Sequence, residues 1–467
     1  MRIRFFGHYF HTSIISLALV EALGFAAAVY GAAALRFGSF AANEGLGFGQ
    51  YDWRVVSFAA ITMVCYLALG LYTTRQGADG AGVMARLGVA LFLSGAVQSV
   101  VFYLLPSLTL GRGLLLIALA LALVVSMVAR WVFARYADRR IFKRQVLVYG
   151  YGERAQVFHQ LPQDTDRSGF DVIGYVIPPG EQADVPQGQQ LEAPDGLLAL
   201  CQQRGVDEIV IAMQDRRRLL PLRQLLQCRL AGLGVSDYTT FMERETGRIM
   251  LDSLNPSWMI FGQGFRRDFM RRAMSVLLNF TAGLVLFLIT LPVMVLTALL
   301  IWLEDGRRGA GVFYRQERVG LGGKTFHLYK FRSMRVDAER GGKAVWAQQN
   351  DPRITRIGGF IRRTRIDELP QLINILVGDM SLVGPRPERP QFVAELEEKI
   401  PYYGQRHSVK PGLAGWAQLC YPYGASEEDA LQKLQYDLYY VKNHSFLFDL
   451  AILIQTAEVV FMGKGVR

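Results

Sequence analysis

The stretch TRIDELPQLINILVGDMSLVGPRP, Thr364 to Pro387, carries the densest chemistry in the chain. Two adjacent carboxylates, Asp367 and Glu368, sit behind four cations, Arg356, Arg362, Arg363 and Arg365. The apolar residues Ile366, Leu369, Ile373 and Leu376 recur at helical spacing. Thr364-x-x-Asp367 reads as a capping-box variant and Pro370 suits a first helical position, so both carboxylates are expected at or near a helix start. Such an end offers unpaired N–H groups and positive dipole charge, which keep carboxylates ionised and attract phosphate. An acidic pair there is most often only a cap. The surroundings argue for more: from Gly306 to Arg365 fifteen Lys or Arg face four Asp or Glu, a surplus equal to the net +11 of the whole chain.

Outward from this stretch, composition sets the class. The chain has 467 residues, room for about three domains. It is 51% hydrophobic with mean hydropathy +0.20, too apolar for an ordinary soluble protein, so part of it is expected in lipid. Cys65, Cys201, Cys228 and Cys420 lack metal-ligand or disulfide spacing, which argues against a zinc site and an oxidised framework and for cytosolic soluble parts. The six histidines form no ligand spacing either. The basic start runs into a long apolar segment without a small-residue cleavage signature, an anchor rather than a removable signal.

Four apolar runs, Ser13–Leu35, Val55–Tyr72, Leu87–Leu105 and Leu114–Val128, each approach the roughly 20 residues of a spanning helix and predict a four-span bundle over residues 1–140. Arg2 and Arg4 precede the first run, Arg75 and Arg86 lie between the second and third, and Arg130, Arg135, Arg139, Arg140, Lys143 and Arg144 follow the fourth, so both bundle ends are expected in the cytoplasm. Glu21, an acid inside a span, is expected to pair within the bundle or lie near the interface.

Residues 141–260 read as a Rossmann-like α/β domain. Gln145–Tyr149 is a predicted strand leading into Gly150-Tyr-Gly152-Glu-Arg-Ala155 and a helix, then a strand at Val172–Val176. Helices at Asp195–Arg204 and Leu219–Ala231 alternate with strands at Glu208–Met213 and Val235–Thr239. The second strand runs into Ile177-Pro-Pro-Gly180 with no acid for a ribose hydroxyl, which weighs against a dinucleotide and for a regulatory or structural role.

Arg266, Arg267, Arg271 and Arg272 introduce the apolar stretch Ala273–Leu303, followed by Glu304, Asp305, Arg307 and Arg308. Pro292 lacks an N–H and crowds the carbonyl of Leu288, so a break or kink is expected there, with Leu291-Pro292 at its centre. Four preceding crossings and basic flanks on both sides argue that this helix re-enters the cytoplasmic face rather than spanning. Ser445–Met462 is apolar but carries Asp449, Gln455 and Glu458, which suits a helix on the membrane or docked on the core better than a span.

Residues 266–467 resemble the bacterial sugar transferases, polyprenyl-phosphate phosphoglycosyl transferases, and the whole layout resembles their large form. The motifs Phe313-Tyr-Arg-Gln-Glu-Arg318, Tyr329-Lys-Phe-Arg-Ser-Met334, Asp351-Pro-Arg-Ile-Thr-Arg-Ile-Gly358, Asp367-Glu-Leu-Pro-Gln371, Gly378–Pro387 and Lys410-Pro-Gly-Leu-Ala-Gly-Trp-Ala-Gln418 stand in family order. The resemblance implies an α+β monotopic phosphoglycosyl transferase domain over residues 261–467 with a re-entrant helix at 273–303. It implies transfer of a sugar 1-phosphate, with glucose or galactose as the expected sugar and N-acetylated sugars left open, from a UDP-sugar to undecaprenyl phosphate with release of UMP. Asp367 is then the nucleophile and Glu368 its Mg²⁺-binding partner. Arg362, Arg386, Lys330, Arg332, Arg353 and Gln418 are the expected phosphate- and substrate-binding residues. The family often has Ser before the helix-breaking proline, where this chain has Leu291, with Thr290 as the expected substitute donor to a freed carbonyl.

A carboxylate can attack phosphorus to give an acyl phosphate, and arginine's planar fork suits two phosphate oxygens. The partners implied are the two substrates and anionic membrane lipids, with a homodimer left open; interleaved glycines and the spans argue against nucleic acid. The expected place is a bacterial inner membrane with the catalytic domain on the cytoplasmic face. Trp416, Tyr402, Tyr403 and Tyr423 are expected to pack or to sit at the lipid interface rather than stack on uracil. A membrane-bound nucleotide-sugar dehydratase would need a complete dinucleotide fingerprint and Tyr-x-x-x-Lys, which this chain lacks. An inactive assembly scaffold would show a damaged acidic pair, and the pair is intact.

Overall fold

The computed structural model describes residues 2–5, 8–38, 53–69, 71–72, 80–137, 143–150, 152–160, 170–178, 189–213, 220–251, 269–305, 311–335, 353–421 and 426–461. Arg75, Arg139, Arg140, Arg266, Arg267, Arg307, Arg308, Asp351 and Tyr423 lie outside the described residues. The chain forms two compact units, residues 1–5 with 9–246, and residues 6–8 with 247–467.

In the first unit a ladder of β1 (Arg2–Phe5) and β2 (His8–His11) precedes four helices, α1 (Thr12–Phe37), α2 (Trp53–Ala68), α3 (Gly80–Leu104) and α4 (Arg112–Ala137). They pack in sequence and close through α1 against α4. Small residues permit that closure: a Cβ on Gly24 would lie 2.3 Å from Val125 Cγ1. Glu21 is fully buried, with Arg130 Nη2 donating to its Oε2 at 3.2 Å, Arg130 Nε 2.9 Å from Oε1 as an ion pair, and the Tyr72 hydroxyl donating to Oε2 as well. It pairs inside the bundle, as expected. Arg130 also donates to Leu71 O at 2.9 Å, so it is an internal partner and not the surface cation that the charge pattern suggested.

Ser16–Phe37, Arg86–Leu104 and Arg112–Phe133 are long and apolar enough to cross a membrane. The second expected span is corrected. Val55–Tyr72 is helical only as α2, 16 residues or about 24 Å, short of the roughly 30 Å hydrocarbon core. The chain turns after Ala68, where the Leu71 N–H donates to Tyr66 O at 3.0 Å. The fourth candidate span is instead Ser275–Glu304, in the second unit.

The remainder of the first unit is a parallel sheet of β3 (Arg144–Tyr149), β4 (Phe170–Val176), β5 (Glu208–Ile211) and β6 (Gly234–Asp237), in the order β4-β3-β5-β6, with α5 (Glu153–Gln160), α6 (Leu197–Arg204) and α7 (Leu222–Leu230) between strands. Central β3 buries Val146, Leu147 and Val148 completely, as a parallel sheet covered on both faces requires. The last expected strand stops at Asp237, and the chain continues as α8 (Tyr238–Thr246), which periodicity did not reveal. Gly150 has φ +129° and a Cβ there would lie 2.7 Å from Met213 N, so this glycine serves a close approach to the neighbouring strand's end. Arg144 and Arg244 are locked to Glu208 and Glu245, with both guanidinium groups against the Phe241 ring.

The second unit opens on α9 (Phe269–Asp305), then β7 (Phe313–Val319) and β8 (Thr325–Phe331), an antiparallel pair registering Phe313 with Phe331 and Val319 with Thr325. α10 (Arg356–Arg363), α11 (Gln371–Val377), β9 (Ser381–Val383), α12 (Pro390–Lys399), β10 (Gly412–Ala414), α13 (Trp416–Cys420), α14 (Glu427–Asn443) and α15 (Phe446–Phe461) follow. Leu328, Leu372, Ile375, Leu382, Leu434, Leu438, Phe448 and Ile452 form its core. β9 and β10 run parallel. A Cβ on Gly412 would lie 2.0 Å from Gly384 N, so the two motif glycines let these backbones meet. α15 buries Phe448 and Ile452, the docked alternative of the two read from sequence.

α9 corrects the expected break: one helix runs uninterrupted through Pro292. Nor does Thr290 rescue the carbonyl of Leu288, because its hydroxyl donates to Leu286 O at 2.7 Å, the usual route back one turn. Tertiary contacts hold the helix on both sides of the proline. Leu382 N–H donates to Asn279 Oδ1 at 2.6 Å, and Arg356 and Ile357 N–H donate to the Glu304 carboxylate at 3.0 and 3.3 Å. Between these, Met294 and Ile301 are buried with Phe331 and Ile361.

Candidate active site

Asp367 and Glu368 do not begin a helix in a capping box. Thr364 ends α10, its hydroxyl donating to Phe360 O at 2.9 Å, so it has no role at the next N-terminus. Arg365 takes a left-handed φ of 58°, turning the chain sharply into a 3₁₀ turn, Ile366–Glu368, and α11 starts only after Pro370. The tight turn places the adjacent carboxylates in different surroundings, each 8% exposed.

Glu368 is tied on all sides. Its Oε1 accepts from Arg386 Nη2 at 2.8 Å and Lys330 Nζ at 3.2 Å, and Arg365 Nη1 is 3.8 Å from Oε2. Burial alone would raise its pKa, but Arg386, Lys330 and Arg365 more than offset burial and hold the carboxyl well below its ordinary range. Asp367 makes no hydrogen bond or ion pair among the described residues, and burial pushes its pKa up, with Lys330 pulling back and Glu368 adding to the rise. Arg362 and Arg386 also lower it through space. Burial lowers the Lys330 ammonium against the opposing pull of Glu368.

Each cation is aimed by its element. Lys330 lies on β8, and β8 is pinned to α11 by Asn374, whose amide donates to His327 O at 2.7 Å and accepts from Tyr329 N–H at 3.1 Å. Arg386 lies in the Pro385-Arg-Pro387 turn, whose carbonyls are all engaged. Gly412 N–H donates to Pro385 O at 3.0 Å, Arg406 Nη2 to Arg386 O at 3.0 Å, Arg318 Nη1 to Pro387 O at 2.9 Å and Val319 N–H to Glu388 O at 2.9 Å. Arg406 is buried and held by Asp437 Oδ2 at 2.7 and 3.1 Å and by the Tyr403 hydroxyl at 2.8 Å. Backbone fixation on this scale leaves the Arg386 side chain directed at Glu368.

Of the expected binding residues, the fold brings Lys330, Arg362 and Arg386 to the acidic pair. Arg332, Arg353 and Gln418 make no hydrogen bond or ion pair with either carboxylate among the described residues. Trp416 packs, as expected, donating to Gly247 O at 2.8 Å with its ring against Phe448 and Tyr439. Tyr403 packs as well, under Arg406. Sequence reasoning missed Arg406, Asp437, Asn374 and Asn279, and only a buried charge inside the apolar pattern of α14 could have signalled the pair Arg406–Asp437.

Residues 270–463 match the family described as bacterial sugar transferase, and residues 67–229 match one described as CoA-binding domain. The chain is 34% identical over 338 residues, 69% of each protein, to the UDP-glucose:undecaprenyl-phosphate glucose-1-phosphate transferase of Escherichia coli (strain K12). The chain belongs to the bacterial sugar transferase family. Other family members similar to it are the UDP-N-acetylgalactosamine-undecaprenyl-phosphate N-acetylgalactosaminephosphotransferase of Aeromonas hydrophila and the undecaprenyl-phosphate galactose phosphotransferase of Salmonella typhimurium. The first is 40% identical over 252 residues, 52% of this chain and 56% of that protein; the second is 29% identical over 349 residues, 70% of each. The match thus spans little more than half the length of the Aeromonas relative. Every motif gathered at the acidic pair lies within the residues that match the sugar transferase family.

Proposed function

We propose that this sugar transferase moves a sugar 1-phosphate from a UDP-sugar to undecaprenyl phosphate through a covalent intermediate on Asp367, releasing UMP. The observation that carries the reading is the divergence of the two carboxylates. Glu368 is fixed by three cations, whereas Asp367 is buried, raised in pKa and unpaired among the described residues. A structural ion cluster would neutralise both; a nucleophile needs its lone pairs free. The Asp367 carboxylate attacks the sugar-bearing phosphorus, the phosphoanhydride bond breaks and UMP leaves with the bonding pair. A phosphate oxygen of the lipid then attacks the same phosphorus and frees Asp367. Arg386, Lys330 and Arg362 counter the charge of the two anionic substrates.

One carboxylate held ionised fits a magnesium ion that takes its other ligands from substrate phosphates and water. Glu368, held ionised, would hold the ion, and when bound it would withdraw charge from the diphosphate. Relatives act on N-acetylgalactosamine, glucose and galactose derivatives by their names, so the substrate is assigned to UDP-hexoses or UDP-N-acetylhexosamines.

The same reading makes α9 a re-entrant helix with the catalytic unit on the cytoplasmic face. Asn279 and Glu304, 25 residues and about 37 Å apart along the helix, both bond to this one unit. The opposite face exposes Leu277, Leu288, Ile289, Val295 and Trp302, a surface suited to lipid. A helix docked near both ends on one domain supports shallow insertion over a crossing. The test is purified protein given a UDP-sugar panel with undecaprenyl phosphate, following UMP and the intact mass. Wild type should gain a phosphosugar adduct from one UDP-sugar alone, and Asp367→Asn should lose both adduct and turnover. UMP release by Asp367→Asn at the wild-type rate would overturn the covalent mechanism.

A further inference from the structure

Helix α7 of the Rossmann-like domain shows an unusual face. Leu225 and Cys228 point into the domain core, while Leu222, Leu226 and Leu230 are 68%, 58% and 79% exposed. Spaced by four residues, these three leucines form one ridge along the outer surface. Arg223 and Arg229 are exposed and flank the ridge on either side by helical position. The sequence around the helix has no opposing charge: from Arg216 to Gly234 it contains five arginines and no Asp or Glu. A solvated face would place polar residues where these leucines stand.

We propose that α7 docks on the surface of an anionic bilayer, leucines sunk among the headgroups and arginines against lipid phosphates. Charge selects this occupant. An amphipathic helix with an apolar ridge and arginine borders fits the interfacial plane of an anionic membrane. A second copy pairing through the same ridge would set arginine borders against arginine borders with no acid from the helix to relieve them. The bilayer is also always at hand, because α1–α4 belong to the same chain and α4 ends at Ala137, seven residues before β3. Tethering makes even a weak surface effective, since the second contact is intramolecular. The apolar residues of a short helix suffice under those conditions.

The test uses the full chain in nanodiscs of phosphatidylcholine, with or without phosphatidylglycerol at about one part in three. An environment-sensitive fluorophore is placed through Leu226→Cys, with Gln203→Cys on the exposed side of α6 as reference and unsubstituted protein labelled in parallel as background. In single-copy anionic discs, emission from position 226 should shift to the blue and be quenched by lipids carrying a spin label near the headgroup, while position 203 stays solvent-like. Arg223→Gln with Arg229→Gln should shift the docked-to-free ratio by about thirtyfold towards free, two cations at a charged surface each counting roughly fivefold. Solvent-like emission at position 226 in single-copy anionic discs would overturn the proposal. So would a blue shift confined to two-copy discs and insensitive to the lipid quencher, which would assign the ridge to a second copy.

Discussion

Arg406→Met should separate the scaffold of the site from its chemistry. Arg406 is 5% exposed and holds buried Asp437, the Tyr403 hydroxyl and Arg386 O at once. Burial raises the Asp437 carboxyl above its ordinary range and Arg406 is what lowers it again, so the variant leaves a buried carboxylate without its partner. That loss costs about 3–5 kcal/mol, roughly a fifth or more of a typical domain's stability of about 5–15 kcal/mol. Hydrogen exchange of β10 and α14 amides in the purified full-length protein measures it. The Arg386 carbonyl loses its donor as well, so UMP release should fall beyond the fraction unfolded. Arg406→Lys, with one point charge in place of a three-way fork, should recover part of the stability and little of the rate. In Arg406→Met with Asp437→Leu, no charge remains stranded, and stability should recover relative to Arg406→Met alone. A loss under about 1 kcal/mol for the single variant, or simple additivity in the double, would refute the claim that this pair clamps the turn.

Single cysteines at Phe269 and Gly311, with native cysteines replaced, should both react only with reagent on the cytoplasmic side; periplasmic labelling of the second would make α9 a true span. A chain shortened to begin at Gly247, where the second unit starts, should keep detectable transfer, since every residue at the acidic pair lies beyond that point; complete loss in a folded, membrane-inserted protein would tie the first unit to catalysis. Asp449 is pushed up to about 7 by burial, with the Tyr440 hydroxyl opposing. Its folded pKa exceeds the ordinary 3.8, so the unfolded chain releases this proton first and stability should decline as pH rises from 3.8 to about 7, then level. The span corresponds to at most about 4 kcal/mol, and Asp449→Asn should remove that slope from the pH dependence of unfolding; an unchanged slope would assign the titration elsewhere.

Sequence alone determined what depends on neighbours along the chain. Adjacency named Asp367 and Glu368, local charge density marked the basic field, and apolar runs located α1, α3, α4 and α9 because desolvation acts on each segment wherever it packs. Alternation of apolar runs with helical patterns likewise gave the parallel sheet, whose central strands are buried on both faces. Only the tertiary structure decided which local rule prevailed where two competed. Thr364 could cap the helix after it or close the helix before it, and packing of Ile357 and Ile361 chose the second. Pro292 could interrupt its helix, but the helix runs on through it, with contacts at Asn279 and Glu304 on either side. The residues that aim the site join positions far apart in sequence: Arg406 with Asp437 across 31 residues, Arg318 with Pro387 across 69 and Asn279 with Leu382 across 103. Their worth comes from burial and from carbonyls that need donors, neither of which exists until the chain has closed on itself.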